Sequence, residues 1–201
     1  MRRCVKLGVF LSLAVLAVST EATTRRLILR VEKAALAWSD CDLTEHLVTA
    51  LSRDPGLRIV TPDSQNDSHP PFPDNQYDID SLLDWGTEIG GRYLFVVSVH
   101  KEAIERRKTF NVPLFFQRWE TIGIIEGEVR LLDLQKRRQL LAEPFVIEES
   151  SSRQFQGECD NNRNDPSLHL TAPEKGRLFR FLEVSLAGRL VDDFSRHTRG
   201  H

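Results

Sequence analysis

The sequence has 201 residues, of which 40% are hydrophobic and 28% are charged, and its formal net charge is −2. This is an ordinary globular composition, and the length favours one domain with a proper hydrophobic core. There is no basic excess, so the charge does not favour a nucleic-acid partner, and we expect none.

The chain begins with a segment typical of a secretory signal peptide. Arg2, Arg3 and Lys6 precede an apolar run over residues 7–18, and small and polar residues follow. The apolar run is too short for a good transmembrane span. We therefore predict a signal peptide over residues 1–22 and an exported protein of the periplasm or cell envelope. An uncleaved anchor is the alternative.

Cysteine usage is compatible with export. Cys4 precedes the apolar run, so it is not placed as a lipoprotein cysteine. Removal of the signal peptide leaves Cys41 and Cys159, which can pair in an oxidising compartment. A disulfide between them would close a long loop and stabilise the fold by roughly 4–5 kcal/mol. Two unpaired thiols are the alternative.

The first half of the mature chain alternates strands with helices. Alternating apolar residues after Arg26 predict a strand with one buried face. Asp42 and Glu45 have the spacing of a capping box and open a helix, which is followed by a short strand over residues 57–60. The polar segment over residues 61–75 is predicted to be a surface loop.

A second helix begins at Asp78 or Asp80 and ends at Gly90-Gly91, because glycine suits a helix C-cap. The residues that follow are β-branched and aromatic, which predicts a buried strand at the centre of the sheet. The apolar period weakens after His100, where a charged tract begins.

Two further strands, over residues 121–133 and 140–149, are predicted to form an antiparallel hairpin. Gly123 and Gly127 lie on its core side, where they leave room for an aromatic neighbour or a bulge. The outward charges of the hairpin indicate a face that is solvated or only partly covered.

The last helix begins with Thr171 as N-cap and Glu174 three positions later. Residues 197–201 are predicted to be a disordered tail. The resulting order, β-α-β-α-β-β-β-α, predicts a single α/β (α+β) domain over residues 26–196. We expect a mixed sheet with the helices packed mainly on one face.

Two stretches of this sequence resemble one group of exported domains. The pair Gly90-Gly91 is followed by Tyr-Leu-Phe-Val-Val at 93–97, and residues 127–133 are similar to a Gly-x-Val-x-Leu-x-Asp run. The group contains the amino-terminal α/β domain of TolB and related curli-assembly-like periplasmic lipoprotein domains. The resemblance covers roughly residues 27–149 and the last helix. It implies a periplasmic α/β module that binds other envelope proteins.

The sequence contains no motif that favours catalysis or a metal. The six histidines lack zinc-site spacing, and a calcium-like run at 160–165 lacks the loop glycine and the final Glu. Glu126 and Glu128 could form a carboxylate pair, although a solvated strand face is the ordinary explanation. We therefore expect no catalytic residue, no metal and no cofactor.

Residues 106–119 are the strongest candidate for partner binding, because they combine cations with large apolar side chains. The candidate contact residues are Arg106, Arg107, Phe110, Leu114, Phe115, Phe116, Arg118 and Trp119. If the segment joins two antiparallel strands, these side chains form an apolar patch rimmed by cations, as at protein or membrane contacts. The alternative is that Leu114, Phe115 and Trp119 fold back onto the core.

The sequence thus predicts a non-catalytic, exported interaction domain that binds an envelope protein through a basic-aromatic hairpin. Two other functions stay open. The same hairpin could attach the protein peripherally to an anionic membrane surface. A cleft under the loop at 61–75 could instead make the protein a small-ligand-binding or hydrolytic periplasmic enzyme.

Overall fold

The computed structural model describes residues 24–33, 42–62, 69–75, 77–112, 116–156 and 170–199. In 108–112, 116–119 and 151–156 it describes the backbone alone. The predicted signal peptide, Cys41, Cys159 and the calcium-like run lie outside the described residues. The signal peptide and the disulfide therefore stay predictions.

Eight elements follow one another along the chain. They are β1 (Arg25–Lys33), α1 (Leu43–Leu51), β2 (Leu57–Val60), α2 (Ile79–Ile89), β3 (Tyr93–Val112), β4 (Phe116–Asp133), β5 (Arg138–Gln156) and α3 (Ala172–Thr198). The five strands form one sheet in the order β2-β1-β3-β4-β5. β2 and β3 run parallel to β1, whereas β3, β4 and β5 are antiparallel neighbours. The predicted α+β class, mixed sheet and element order are confirmed.

Helices cover both faces of the sheet. α1 and α3 pack on one face, where Leu47 and Phe179 share a core with Phe95 of β3. α2 packs on the opposite face, where Trp85 shares a second core with Leu94. Two of the three helices therefore lie on the same face, as predicted, and Trp85 of α2 packs on the other face.

Strand β1 is buried on both faces, which corrects the prediction of a single buried face. Leu27 and Leu29 belong to the core under α1 and α3, and Ile28 belongs to the core under α2. All three side chains are almost completely buried. A strand that lies between two helical layers has apolar residues at successive positions, which the alternation rule does not reveal.

The predicted helix ends are present in the structure. The carboxylates of Asp42 and Asp78 each accept a hydrogen bond from the backbone N–H two residues later, at 2.9 and 3.2 Å. At the start of α3, the Thr171 N–H donates to Glu174 Oε2 at 2.8 Å. Gly90 ends α2 with a φ of +80°, a conformation that favours glycine.

Several boundaries differ from the predictions. β3 continues through the charged tract to Val112, and β5 continues to Gln156. The tail predicted at 197–201 is wrong for its first two residues, because α3 includes His197 and Thr198. Thr198 is buried, and its hydroxyl donates to the Phe194 carbonyl at 2.9 Å.

Candidate interaction surface

The long strands extend the sheet beyond its parallel part. β1 pairs with β3 as far as the pair Lys33–Val99. β3 and β4 remain paired as far as Val112 and Phe116, and β5 accompanies β4 as far as Gln156. We call residues 101–112, 116–126 and 147–156 the three-stranded extension. Within the described residues, it is formed by β3, β4 and β5 alone.

A β-bulge marks the start of the three-stranded extension. The register between β3 and β4 shifts between Val99 and Lys101, opposite Gly127. A Cβ atom at Gly127 would lie 2.6 Å from Phe145 Cζ and would also clash with the Ser98 carbonyl. The residue must therefore be glycine for close approach, and both predicted reasons for this glycine, an aromatic neighbour and a bulge, are confirmed.

The bulge changes which residues of β3 face the core: odd-numbered residues do so before it and even-numbered residues after it. Before the bulge, Val97 and Val99 face the core under α1 and α3. After the bulge, Glu102 is buried near α3 and Ile104 packs against the same core. The odd-numbered residues of this part of β3 are consequently turned to the other face of the sheet.

An ion-pair ladder lies on that other face. Lys101 donates to Glu126 at 2.9 Å and to Glu105 at 3.2 Å. Arg107 and Glu148 form a bidentate pair with two hydrogen bonds of 2.7 Å each. The hydrogen bonds to Glu126 and Glu105 raise the pKa of Lys101, and the hydrogen bond from Arg107 lowers the pKa of Glu148. Each of these charges is therefore balanced within the sheet.

The ladder lies beside two buried isoleucines. Ile124 is paired with Glu148 on one side, and Ile122 is paired with Glu105 on the other. Their exposed fractions are 1% and 8%, although they belong to neither of the two helix-covered cores. The aliphatic stems of the ladder side chains can provide this cover while the charged groups stay in water.

The structure separates the predicted contact residues into different environments. Arg106 and Arg107 are adjacent in β3 and so face opposite sides of the sheet. The charge of Arg107 is matched by Glu148. Arg106 is partly exposed and also has an interaction partner.

The remaining candidates lie at the far end of the extension. Phe110 and Arg118 are cross-strand partners, and Phe116 and Trp119 also lie in paired strands. For these four residues the backbone alone is described, and Leu114 and Phe115 lie outside the described residues. Whether their side chains form one patch stays a prediction.

Other charges that the sequence singled out have local partners. Glu126 is bound to Lys101, and Glu128 lies 2.7 Å from Arg130. These two carboxylates are thus each paired with a cation, which favours the solvated-face explanation over an acid-base pair. Among the described residues, no group of three His, Cys, Asp or Glu side chains could hold a metal ion.

A buried ionic cluster beneath α3 was not predicted from the sequence. Lys33 of β1 donates to Glu183 of α3 at 2.5 Å and lies 4.0 Å from Glu102 of β3. Glu183 and Glu102 are 1% and 6% exposed. Burial raises the pKa of Glu102, the charge of Lys33 lowers it, and the charge of Glu183 raises it further.

Buried carboxylates with a raised pKa also occur at catalytic sites, and a hollow lies beside Lys33. The hollow is lined by residues 30–33 and 98–100. Lys33 lines it, but Glu102 and Glu183 do not. The two carboxylates are buried, and their contacts with Lys33 join β1, β3 and α3.

The loop considered as a cleft cover packs onto α2 in its described part. The Trp85 indole N–H donates to the Pro70 carbonyl at 3.0 Å, and the rings of Phe72 and Trp85 meet edge to face at 4.9 Å. Arg30 lies over the Phe72 ring, with 5.0 Å between its guanidinium carbon and the ring centroid. These contacts close the second core.

Comparisons with known proteins find similar structures at low sequence identity. No family model matches the sequence, and no curated protein matches it. The chain is similar in structure to the hypothetical protein CT253 of Chlamydia trachomatis, with a TM-score of 0.46, 10% identity, and coverage of 84% of this chain and 96% of that one. It is also similar to a minor lipoprotein of Acinetobacter baumannii, with a TM-score of 0.38, 15% identity, and coverage of 86% of this chain and 92% of that one.

TolB of Acinetobacter baumannii is also similar, with a TM-score of 0.36, 14% identity, and coverage of 77% of this chain and 28% of TolB. All three TM-scores lie below 0.5, so they support no conclusion about function. The resemblance to the amino-terminal domain of TolB stays a prediction. Among the described helices, none is both long and apolar enough to cross a membrane.

Proposed function

We propose that this protein is a non-catalytic, exported interaction domain of the cell envelope that binds a protein partner through the far end of its three-stranded extension. We call this end, residues 106–112 and 116–119 with the connecting residues 113–115, the distal hairpin. The proposal of export rests on the basic and apolar segments at the start of the chain.

The observation that carries the proposal is the antiparallel pairing of β3 with β4 as far as Val112 and Phe116. Helix α3 still covers β4 at Gly123. A Cβ atom there would lie 2.8 Å from Leu182 and 2.9 Å from Leu178, both in α3. From Gly123 to Phe116 the strand extends by about 23 Å at the usual rise per residue. A paired hairpin of that length can present a small set of side chains to a partner.

The ion-pair ladder changes which groups should supply the binding energy. Arg107 is bound to Glu148 and would have to exchange one carboxylate for another on binding. Exposed ion pairs contribute little, whereas aromatic residues dominate most interfaces. We therefore assign the main contribution to the aromatic residues Phe110, Phe115, Phe116 and Trp119, with Arg118 supplying orientation.

The test is a variant with Phe115→Ser and Phe116→Ser, expressed in full and cross-linked in the envelope before purification. We expect the cross-linked partners of the native protein to be lost while the far-UV circular dichroism spectrum is unchanged. The matched control is Phe181→Ser on α3, an aromatic residue that is 55% exposed and lies outside the distal hairpin. The control should keep every partner.

Retention of the same partners by the double variant would refute the assignment. Binding of the native protein to anionic vesicles, lost in the double variant and in high salt, would instead favour attachment to the membrane surface.

A further inference from the structure

A second candidate site lies at the other end of the sheet, where β1 and β3 begin. A cleft of about 460 Å³ is lined there by Arg25, Arg26 and Arg92, together with Gly90-Gly91 at the end of α2. The remaining polar lining comes from two threonines and a glutamine, and no acidic residue lines the cleft. We call this site the arginine cleft.

The register of the sheet places arginines side by side at this end. Arg26 of β1 is the direct partner of Arg58 in β2. On its other side, the Arg92 N–H donates to the Arg26 carbonyl at 2.8 Å. Arg58, Arg26 and Arg92 therefore occupy adjacent positions across three neighbouring chain segments. Like charges in directly opposed positions destabilise a sheet unless something compensates them.

The described residues do not supply that compensation. Arg25 forms an ion pair with Asp54 at 2.8 Å, but no described carboxylate pairs with Arg26, Arg58 or Arg92. Among the described residues, the Nε atoms of Arg26 and Arg92 also have no hydrogen-bond partner, but they are buried and out of reach of a ligand in the cleft. The cleft therefore holds positive charge that the described carboxylates do not balance.

The C-terminus of α2 can stabilise the positive charge of Arg26 but not that of Arg92. Arg26 Nη1 would lie 3.4 Å from a Cβ atom at Gly90, so its guanidinium rests against the C-terminus of α2. A cation is favourable there, and the last turn of α2 has no basic residue of its own. Arg92 is oriented differently, with its guanidinium carbon 5.3 Å from the centroid of the Tyr93 ring. Stacking of this kind leaves the N–H groups in the plane available to a ligand.

We propose that the arginine cleft binds a phosphate group. Guanidinium groups bind phosphate through paired hydrogen bonds, and Arg26 and Arg92 both line the cleft. The cleft lies beside residue 24, where the chain arrives from the predicted signal segment. The phosphate could therefore come from a phospholipid headgroup or from solution. This proposal does not depend on the distal hairpin.

The test measures the melting temperature of the full-length chain in neutral detergent with three additives at equal ionic strength. These are sodium phosphate, sodium chloride, and glycerophosphoglycerol, a soluble phosphodiester that reproduces a phospholipid headgroup. With a dissociation constant of about 1 mM, about 10 mM phosphate should raise the melting temperature by about 3–5 °C relative to chloride. Arg26→Gln and Arg92→Gln should each abolish the rise. Arg180→Gln, at an exposed position of α3, should leave it unchanged.

A rise with both phosphate compounds supports the proposal with a lipid headgroup as the source, and a rise with inorganic phosphate alone supports it with free phosphate. An equal rise with chloride, or a rise that survives in the Arg26 and Arg92 variants, overturns it. If either variant fails to fold, Arg25→Gln decides, because Arg25 lines the cleft and is partly exposed. The proposal requires that this variant weaken the response to phosphate.

Discussion

Replacement of Lys33 by Met tests the buried ionic cluster beneath α3. Lys33 is the cation that the structure places next to both buried carboxylates, Glu183 and Glu102. The variant keeps the length and apolar character of the side chain but removes its charge. The two carboxylates then remain in the interior without that cation, close to each other's charge.

The expected cost follows from the burial of the three groups. Loss of one partner from a buried ion pair destabilises a protein by about 3–5 kcal/mol. The Lys33 side chain is 20% exposed, so water can reach the site and the lower end of this range applies. We expect a loss of about 3 kcal/mol at pH 7, which for a domain of this size is a fall in melting temperature of about 6–12 °C.

The cost should depend on pH in a definite direction. Burial raises the pKa of Glu102 above its ordinary value of 4.5, so the folded protein gains stability when this group is protonated. That gain is fully present below pH 4.5 and is lost as the pH rises through the folded pKa. Lys33 lowers the pKa of Glu102, so its removal enlarges the effect. The difference between native protein and variant should therefore shrink as the pH falls towards 4.5.

The assay is urea unfolding followed by circular dichroism at pH 7 and pH 4.5, with both proteins measured at each pH. Lys136→Met, at an exposed position in the turn between β4 and β5, is the matched control and should change stability little at either pH. A loss below about 1 kcal/mol at pH 7 would refute the reasoning. So would a loss that is equal at the two pH values, because a packing defect does not titrate.

Three other variants are tested with the same assay. Gly127→Ala should destabilise the protein by about 1–3 kcal/mol, because the new methyl group meets Phe145 and the Ser98 carbonyl. Gly188→Ala should instead stabilise the protein by about 0.5–1 kcal/mol, because its Cβ position in α3 is surrounded by open space. Glu102→Gln removes the carboxylate whose pKa is raised by burial, so the variant should have a higher urea midpoint than the native protein at pH 7. The difference in midpoint should disappear below pH 4.5. A difference that is the same at both pH values would contradict this prediction.

The local features of the fold could be predicted because their causes are local. The N-caps at Asp42 and Thr171 depend on residues two or three positions away, and the turn at Gly90 depends on backbone freedom alone. Gly127 was also identified correctly, because a glycine in an alternating strand indicates a close approach.

The buried cluster could not be predicted, because its cause is not local. Lys33 and Glu183 are 150 residues apart in sequence, and they meet only when α3 packs across the sheet. The burial of Glu102 depends on a bulge whose position the alternation of β3 alone does not reveal. The length of β3 was missed for a similar reason. The charges that interrupt its apolar period are balanced by Glu126 and Glu148, which lie 25 and 41 residues away from their partners.

The bulge also explains why the candidate site should be considered as two surfaces rather than one. By reversing the facing of β3 it turns Lys101 and Arg107 to the ladder, where carboxylates already neutralise them, and it turns Arg106 towards the side of α3. Arg106 therefore lies on a different face of the sheet from Lys101 and Arg107. A partner that binds here by charge alone would have to displace ion pairs already made within the sheet. The aromatic residues beyond Lys108 carry no such cost, which is why the decisive substitutions are placed at Phe115 and Phe116.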